Sequence, residues 1–197
     1  SAVTTVVTGT IGAVGTASIS PATWTNGNVT VTLPKSDGFK TMYTTDGTIP
    51  KATATGATKE YSNPFTVSSN CTIMYVYTDG NNINTAGSII VDKIDKTAPT
   101  NTAPSTTNTT NSITATNRQA DNAGTNEKAS GIKTVQYQIK KNADTTWGAL
   151  QSTGTFGNLA QNTKYDVRTQ VTDNAGNTTT SAVTTVVTGT IGAVGTA

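Results

Sequence analysis

Apolar and polar residues alternate with a period of two over short stretches along the whole chain. In the first half this alternation runs through Val29–Leu33 and Cys71–Tyr77, and in the second half through Val135–Ile139 and Tyr165–Val171. Successive side chains of a β-strand point to opposite faces, so this period is typical of strands with one buried face. No stretch keeps a helical period, and the chain is therefore predicted to be all-β.

Turn sequences separate the alternating stretches. Asn26–Gly27, Asp46–Gly47 and Asn142–Asp144 combine residue types that accept the backbone angles of tight turns. About seven short strands per ~90 residues, divided by such turns, is the pattern of a β-sandwich. A chain of 197 residues has room for two domains of that size. The pattern therefore predicts two tandem β-sandwich domains.

The first 17 residues recur without change at the other end of the chain, because SAVTTVVTGTIGAVGTA occupies both Ser1–Ala17 and Ser181–Ala197. An offset of 180 residues far exceeds the period of solenoid repeats, about 20–50 residues, and fits a unit of two sandwich domains. We therefore predict that the chain is a segment of a tandem array. We expect the last strand of a preceding repeat at 1–16, sandwich domains at 17–94 and 95–191, and the start of a linker at 192–197.

The duplicated segment leaves two interpretations open. Val183–Ile191 is predicted to be the last strand of the second domain, so its twin Val3–Ile11 lacks a domain of its own. Either this twin is a cut edge of the array, or it completes the second domain of another molecule. A heterologous contact of the latter kind would propagate into a fibre. The exchange would depend on Val3, Val6, Val7 and Ile11.

Composition narrows the range of partners. The chain is 34% apolar and 12% charged, and its formal net charge of +2 comes without any run of Lys or Arg. Phosphate binding needs a concentrated basic patch, so nucleic acid is not expected as a partner. No apolar stretch of the sequence approaches the ~20 residues that cross a bilayer, so no membrane span is expected.

Residue types that carry common catalytic chemistry are scarce. His is absent and Cys occurs once, which removes Ser-His and Cys-His pairs and the usual zinc ligands. The 11 acidic residues are scattered singly, with no paired acids in one motif. We therefore expect no enzymatic activity. Cys71 lies in an alternating stretch and is interpreted as a small buried hydrophobe, with a reactive or intermolecular thiol as the alternative.

The second domain carries a short motif of a known family. In LAQNTKYDV, Leu159, Thr163 and Tyr165 follow a Leu-x-x-x-Thr-x-Tyr pattern, which resembles fibronectin type III modules. The resemblance implies that Tyr165 forms a tyrosine corner, buried with its hydroxyl on nearby backbone. Gln161 replaces a Pro that is common in the family. VTDNAGNTT, at Val171–Thr179, is similar to a turn of many bacterial surface immunoglobulin-like repeats.

The first domain resembles the immunoglobulin-like modules at the C-termini of chitobiases and in large bacterial surface proteins. The residues that carry this likeness are Tyr43–Pro50 and Phe65–Gly80. Together the resemblances imply two tandem immunoglobulin/fibronectin III-like β-sandwich domains. Such modules serve as spacers, stalks or adhesive domains.

These resemblances imply a structural repeat unit of an extended protein on the bacterial cell surface. Its partners would be neighbouring copies of the same repeat, with host or matrix glycans or proteins engaged through other domains. Two alternatives remain: an extracellular filament subunit joined by strand exchange, and an accessory carbohydrate-binding module. Because accessory modules seldom recur as identical copies, the repetition favours the stalk and filament interpretations.

No cofactor is expected, and the Asp and Asn residues at the junction and in the turns are interpreted as turn formers, with calcium binding as the alternative. The candidate ligands, at the domain junction and in the DNAGN turn, are Asp92, Asp95, Asp173, Asn174 and Asn177. Calcium takes six to eight hard oxygen ligands from carboxylates, amides and carbonyls, and bacterial adhesin repeats are similar in binding it at domain junctions. Lysines flank the junction acids and the carboxylates are few, which favours the turn role over calcium binding.

Two other kinds of site are considered. Trp24 and Trp147 are predicted to be core residues, with a sugar-binding platform that includes Tyr43 as the alternative. Surface immunoglobulin-like domains also contain intramolecular isopeptide bonds, which need a Lys beside Asn or Asp and a buried carboxylate. The sequence offers Lys133, Lys140, Asp166 and Glu127 for this role.

Overall fold

The computed structural model describes residues 10–125 and 127–190, and within these ranges every regular element is a β-strand. The all-β prediction is confirmed. Backbone contacts divide the chain into two compact units, Ser1–Ile94 and Asp95–Ala197. In the described part of the chain, no helix is long and apolar enough to cross a membrane.

The first unit contains two antiparallel sheets, β1-β2-β5 and β4-β3-β6-β7 in order of strands. The strands are β1 Ser18–Ser20, β2 Val29–Thr32, β3 Lys40–Thr44, β4 Lys59–Tyr61, β5 Phe65–Val67, β6 Cys71–Thr78 and β7 Gly87–Val91.

Inward-facing residues of both sheets form one core in the first unit. Val31 from β2 and Ile73 from β6 are fully buried, as the alternation of apolar residues predicts. The Tyr43 ring stacks on Phe65 with their centroids 4.4 Å apart, and Tyr61 meets Tyr43 edge-on at 6.4 Å. Aromatic pairs in these geometries add to the stability that their buried area provides.

Cys71 is half-buried rather than fully buried. It is a free thiol that packs against the first core. Burial raises its pKa above the ordinary value, so the reactive thiolate is disfavoured.

The second unit has a four-stranded sheet in which β14 is central: β12 pairs along one edge, and β15 and β16 pair in succession along the other. A second sheet has the order β13-β10-β9, and β8 pairs with β11. The strands are β8 Thr100–Asn101, β9 Ser105–Asn108, β10 Ile113–Thr116, β11 Gln119–Ala120, β12 Ile132–Lys141, β13 Thr155–Phe156, β14 Lys164–Asp173, β15 Thr178–Thr180 and β16 Thr184–Val187.

The core of the second unit joins the β10 sheet to β14. Ile113 and Val167 are fully buried in it, beside Phe156 and Tyr165. The Tyr165 hydroxyl accepts a hydrogen bond of 3.0 Å from the Ala160 amide, which is the tyrosine corner that the resemblance implied. The predicted closing strand of this unit is β16, and its Val186 packs against the core.

The segment before β1 packs against a different unit from the one that the sequence predicts. Residues 12–16 were assigned to a preceding repeat, but Val14 packs against the core of the first unit and Gly15 hydrogen-bonds to Tyr75. That assignment is wrong for these residues, because their contacts are with the unit that follows them. Ile11 is half-buried and lies outside any strand. The exchange candidates Val3, Val6 and Val7 lie outside the described residues.

Candidate metal centre

Three aspartates from distant parts of the second unit converge. Asp95 is its first residue, Asp121 follows β11, and Asp173 ends β14. One oxygen of each carboxylate lies within 4.8 Å of those of the others. Asp95 and Asp173 have no exposed surface, whereas Asp121 is partly exposed. Such burial of charged groups needs compensation.

Strand pairing and one loop bring these residues together. Asp173 is opposite Ile132 in the register of β14 and β12. The Asn174 amide donates to the Gly131 carbonyl at 2.9 Å. Gly131 has a φ of +85°, a left-handed conformation that disfavours side chains. Its amide donates to Asp121. Gly131 therefore contacts both Asp121 and the residue after β14, which places Asp121 near the end of that strand.

Backbone amides hold the two buried carboxylates in place. Asp95 accepts hydrogen bonds from the amides of Thr97 at 3.1 Å and Ser130 at 2.7 Å. Asp173 Oδ1 accepts from the amides of Gly176 at 2.7 Å and Asn177 at 2.8 Å. Asp173 Oδ2 also accepts from the Asn177 side-chain amide at 2.7 Å. Each oxygen of a carboxylate has two lone pairs, so both carboxylates keep acceptor capacity after these bonds.

The three carboxylates repel one another. At these separations, and with an effective dielectric constant of about 20, each pair of charges costs on the order of 3 kcal/mol. Burial raises the pKa of Asp121 above its ordinary value, and the charges of Asp95 and Asp173 raise it further, against hydrogen bonds from Gly131 and Ser130. A cation held between the carboxylates would relieve this repulsion.

The residues present fit a hard divalent cation. Asp121 Oδ1 is buried and has no hydrogen-bond partner among the described residues, which leaves this oxygen available as a ligand. Calcium prefers such carboxylate oxygens and completes its shell with carbonyl oxygens and water. The cluster offers only oxygen ligands from its three carboxylates. This ligand set favours calcium or magnesium over softer metals.

The structure changes the predicted ligand set. Asp92 belongs to the first unit and takes no part in the cluster. The Asn174 side-chain amide donates to the carbonyls of Ser130 at 2.8 Å and Gly131 at 3.0 Å. The Asn177 amide donates to the Asp95 carbonyl at 2.9 Å. These two asparagines therefore position the loops.

Asp121 was absent from the sequence prediction. A signal for it exists, because the tetrapeptide DNAG occurs at Asp121–Gly124 and again at Asp173–Gly176. The two copies supply two of the three clustered carboxylates.

The aromatic candidates lie in different environments. Trp24 and Trp147 are half-buried and belong to neither buried core, so the core prediction is wrong for both. The Arg168 guanidinium covers the Trp147 ring at 4.1 Å from its centroid. Tyr43 is stacked inside the first core. Tyr43 is therefore buried in the core, and the guanidinium occupies one face of Trp147.

One candidate pair for an isopeptide bond meets. Lys140 Nζ lies 2.9 Å from Asp166 Oδ2, across paired strands. Burial alone would raise the pKa of Asp166, but hydrogen bonds from Asn142, Lys140 and Thr185 and the charge of Lys140 hold it below the ordinary value. An ionised carboxylate and an ammonium group do not condense, so the pair is an ion pair. Lys133 is exposed, and Glu127 accepts a hydrogen bond from Thr97 instead.

Comparisons with known proteins identify the fold. Residues 31–91 match the family described as Fn3 associated, whereas no curated protein matches the chain. Titin domains A168–A170 are 9% identical with a TM-score of 0.52, and the match covers 85% of this chain and 61% of that one. The FN1–FN3 domains of chicken CNTN1 are 12% identical with a TM-score of 0.39, covering 88% and 65%.

The titin likeness, at this identity, is evidence for the fold alone. This chain spans about three fifths of the titin chain that it matches. The chain is an all-β protein of immunoglobulin/fibronectin III-like sandwich units.

Proposed function

We propose that the chain is a spacer segment of an extended protein on the bacterial cell surface. The observation that carries this proposal is the unchanged recurrence of Ser1–Ala17 at Ser181–Ala197 in a chain of two sandwich units. Sandwich units in series lengthen a chain without needing a binding site of their own. The segment would hold another domain away from the cell.

Small-angle scattering on chains with one, two and three copies of the 180-residue period tests the spacer proposal. A spacer predicts a radius of gyration that grows nearly in proportion to copy number. A compact assembly would grow only with about the 0.38 power of chain length. Compact growth would contradict the spacer function.

Calcium binding by the aspartate cluster is part of this proposal. The ion would join Asp95 at the start of the second unit to the end of β14 at Asp173, and the unpartnered Asp121 oxygen supports it. Extracellular calcium modules bind with dissociation constants of about 0.1–1 mM. A segment stiffened in this way would resist unfolding under tension when calcium is present.

Isothermal titration with calcium tests the site directly. Asp121→Asn keeps the shape of the side chain and removes its charge, so we expect a loss of at least about tenfold in affinity. Asp92→Asn is the matched control, because Asp92 lies in the first unit, and its affinity should equal that of the wild type. Equal binding by both variants would exclude the cluster as the site.

Strand exchange remains the alternative function. It requires Val6 of one molecule to take the place of Val186, which packs against the second core. Sedimentation of the full chain should then show polymers that Val6→Asp abolishes. A monomeric wild-type chain would exclude the filament function and leave the spacer function in place.

A further inference from the structure

The segment Gly12–Ala17, here called the clasp, lies along the first unit outside any strand. Its backbone is held by side chains. The Tyr75 hydroxyl donates to the Gly15 carbonyl at 3.1 Å and accepts from the Ala17 amide at 3.3 Å. The Tyr77 hydroxyl accepts from the Gly15 amide at 3.3 Å. Asn84 donates to the Gly12 carbonyl. The surface of the first unit thus recognises the main chain of the clasp.

Close packing limits which sequences fit this surface. A Cβ atom on Gly15 would lie 2.9 Å from Pro34 Cβ, so a larger residue there requires displacement. On the opposite side, a Cβ on Gly87 would lie 2.7 Å from Val14 Cγ2. Val14 also packs against the core, and Ala17 is buried within it. The seat, defined as Pro34, Tyr75, Tyr77, Asn84 and Gly87, therefore selects glycine and a small apolar residue at fixed positions.

The same six residues, GAVGTA, occur again as Gly192–Ala197. A surface that holds one copy by main-chain hydrogen bonds and by the packing of Val14 offers identical contacts to the other. We propose that the seat on the first unit is a docking site for Gly192–Ala197 of a second copy of this chain. The contact goes beyond the spacer function and would link copies head to tail.

The wild-type seat is already filled by the clasp. The clasp is joined directly to β1, so its effective concentration at the seat far exceeds that of a segment from another molecule. The second copy therefore docks only when the clasp is removed from the seat. In a longer array, the end of one repeat would serve as the clasp of the next. Only residues 190 and 191 would then separate that clasp from Gly189. The Gly189 amide donates to the Thr109 carbonyl in the second unit.

Sedimentation of four full-length chains, over concentrations up to about 1 mM, tests the docking. A contact this small is expected to have a dissociation constant on the order of 0.1–1 mM. Val14→Asp expels the clasp from the seat. The average mass of this variant should therefore at least double as its concentration rises. Val14→Asp/Val194→Asp disables both copies and should remain monomeric, as should the wild type and Val194→Asp. A folded Val14→Asp chain that stays monomeric, or a double variant that associates equally, overturns the proposal.

Loss of the clasp could also destabilise the first unit. In that event, added peptide GAVGTA should raise the unfolding midpoint of Val14→Asp, because the peptide can occupy the seat. The peptide GADGTA should leave the midpoint unchanged. Equal midpoints with and without GAVGTA overturn the proposal. The strand-exchange alternative differs in the wild type, because exchange through Val3–Ile11 predicts that the unmodified chain already associates.

Discussion

The two units share a fold but differ in what is buried inside them. In the described part of the first unit the buried polar residues are all threonines, and the core contains a stacked Tyr43–Phe65 pair. The second unit buries the carboxylates of Asp95, Asp166 and Asp173. Apolar packing involves no titratable group, whereas buried carboxylates depend on pH and on cations. The buried carboxylates therefore make the stability of the second unit depend on both.

The largest expected effect is on the apolar core of the first unit. Ile73 has no exposed surface, and Ile73→Ala should lower the free energy of unfolding by about 3 kcal/mol, because a cavity is left in packed surroundings. Ile90→Ala is the control, since Ile90 is 59% exposed. Urea unfolding should show this loss of free energy only in the transition of the first unit. A comparable loss from Ile90→Ala would contradict this account of the core.

Calcium should change the stability of the two units differently. If the dissociation constant is about 0.1 mM, then 10 mM calcium raises the free energy of unfolding of the second unit by about 2.7 kcal/mol. The first unit should not respond. Calorimetry with calcium and with chelator measures both transitions, and Asp121→Asn should remove the difference. Equal shifts in both units would show that the ion acts non-specifically.

Asp166 should govern the acid sensitivity of the second unit. Lys140, Asn142 and Thr185 contact its carboxylate at 2.9, 2.9 and 2.7 Å, so Asp166→Asn should cost about 2 kcal/mol at neutral pH. The folded-state pKa lies below the ordinary value of 3.8. The stabilisation is therefore present above that value and is lost as pH falls through the folded-state pKa.

Urea unfolding of the wild type and Asp166→Asn from pH 7 to pH 2 checks this sign. The difference between the two proteins should shrink below pH 3.8, the ordinary value. A difference that stays constant across this range would assign the effect to packing instead of charge.

The smallest effect concerns the tyrosine corner. Tyr165→Phe keeps the buried ring and removes the hydroxyl that accepts from the Ala160 amide at 3.0 Å. The loss of one hydrogen bond should cost about 1 kcal/mol. Tyr137→Phe is the matched control, because the Tyr137 ring also packs against the second core. Equal losses would show that the Tyr165 hydroxyl contributes nothing specific.

Part of the candidate site could be predicted from the sequence. Asp95 and Asp173 stood out as acids beside turns, but Asp121 was missed and Asp92 was wrongly included. Asp95 and Asp173 are 78 residues apart by their numbers, and only the pairing of β12 with β14 and the return of the loop at Gly131 bring the three carboxylates together. No local pattern encodes such a distance. The repeated DNAG was the only trace of it in the sequence.

The alternation of apolar residues by itself determined the strands and the all-β class, because the side-chain period of a strand is local. The Leu-x-x-x-Thr-x-Tyr motif likewise indicated the buried position of Tyr165. Tertiary structure alone decided that Arg168 covers Trp147, since alternation does not show what a strand's outer face meets. It also decided that the clasp packs on the unit after it, because Tyr75 and Tyr77 hold that backbone from about sixty residues away.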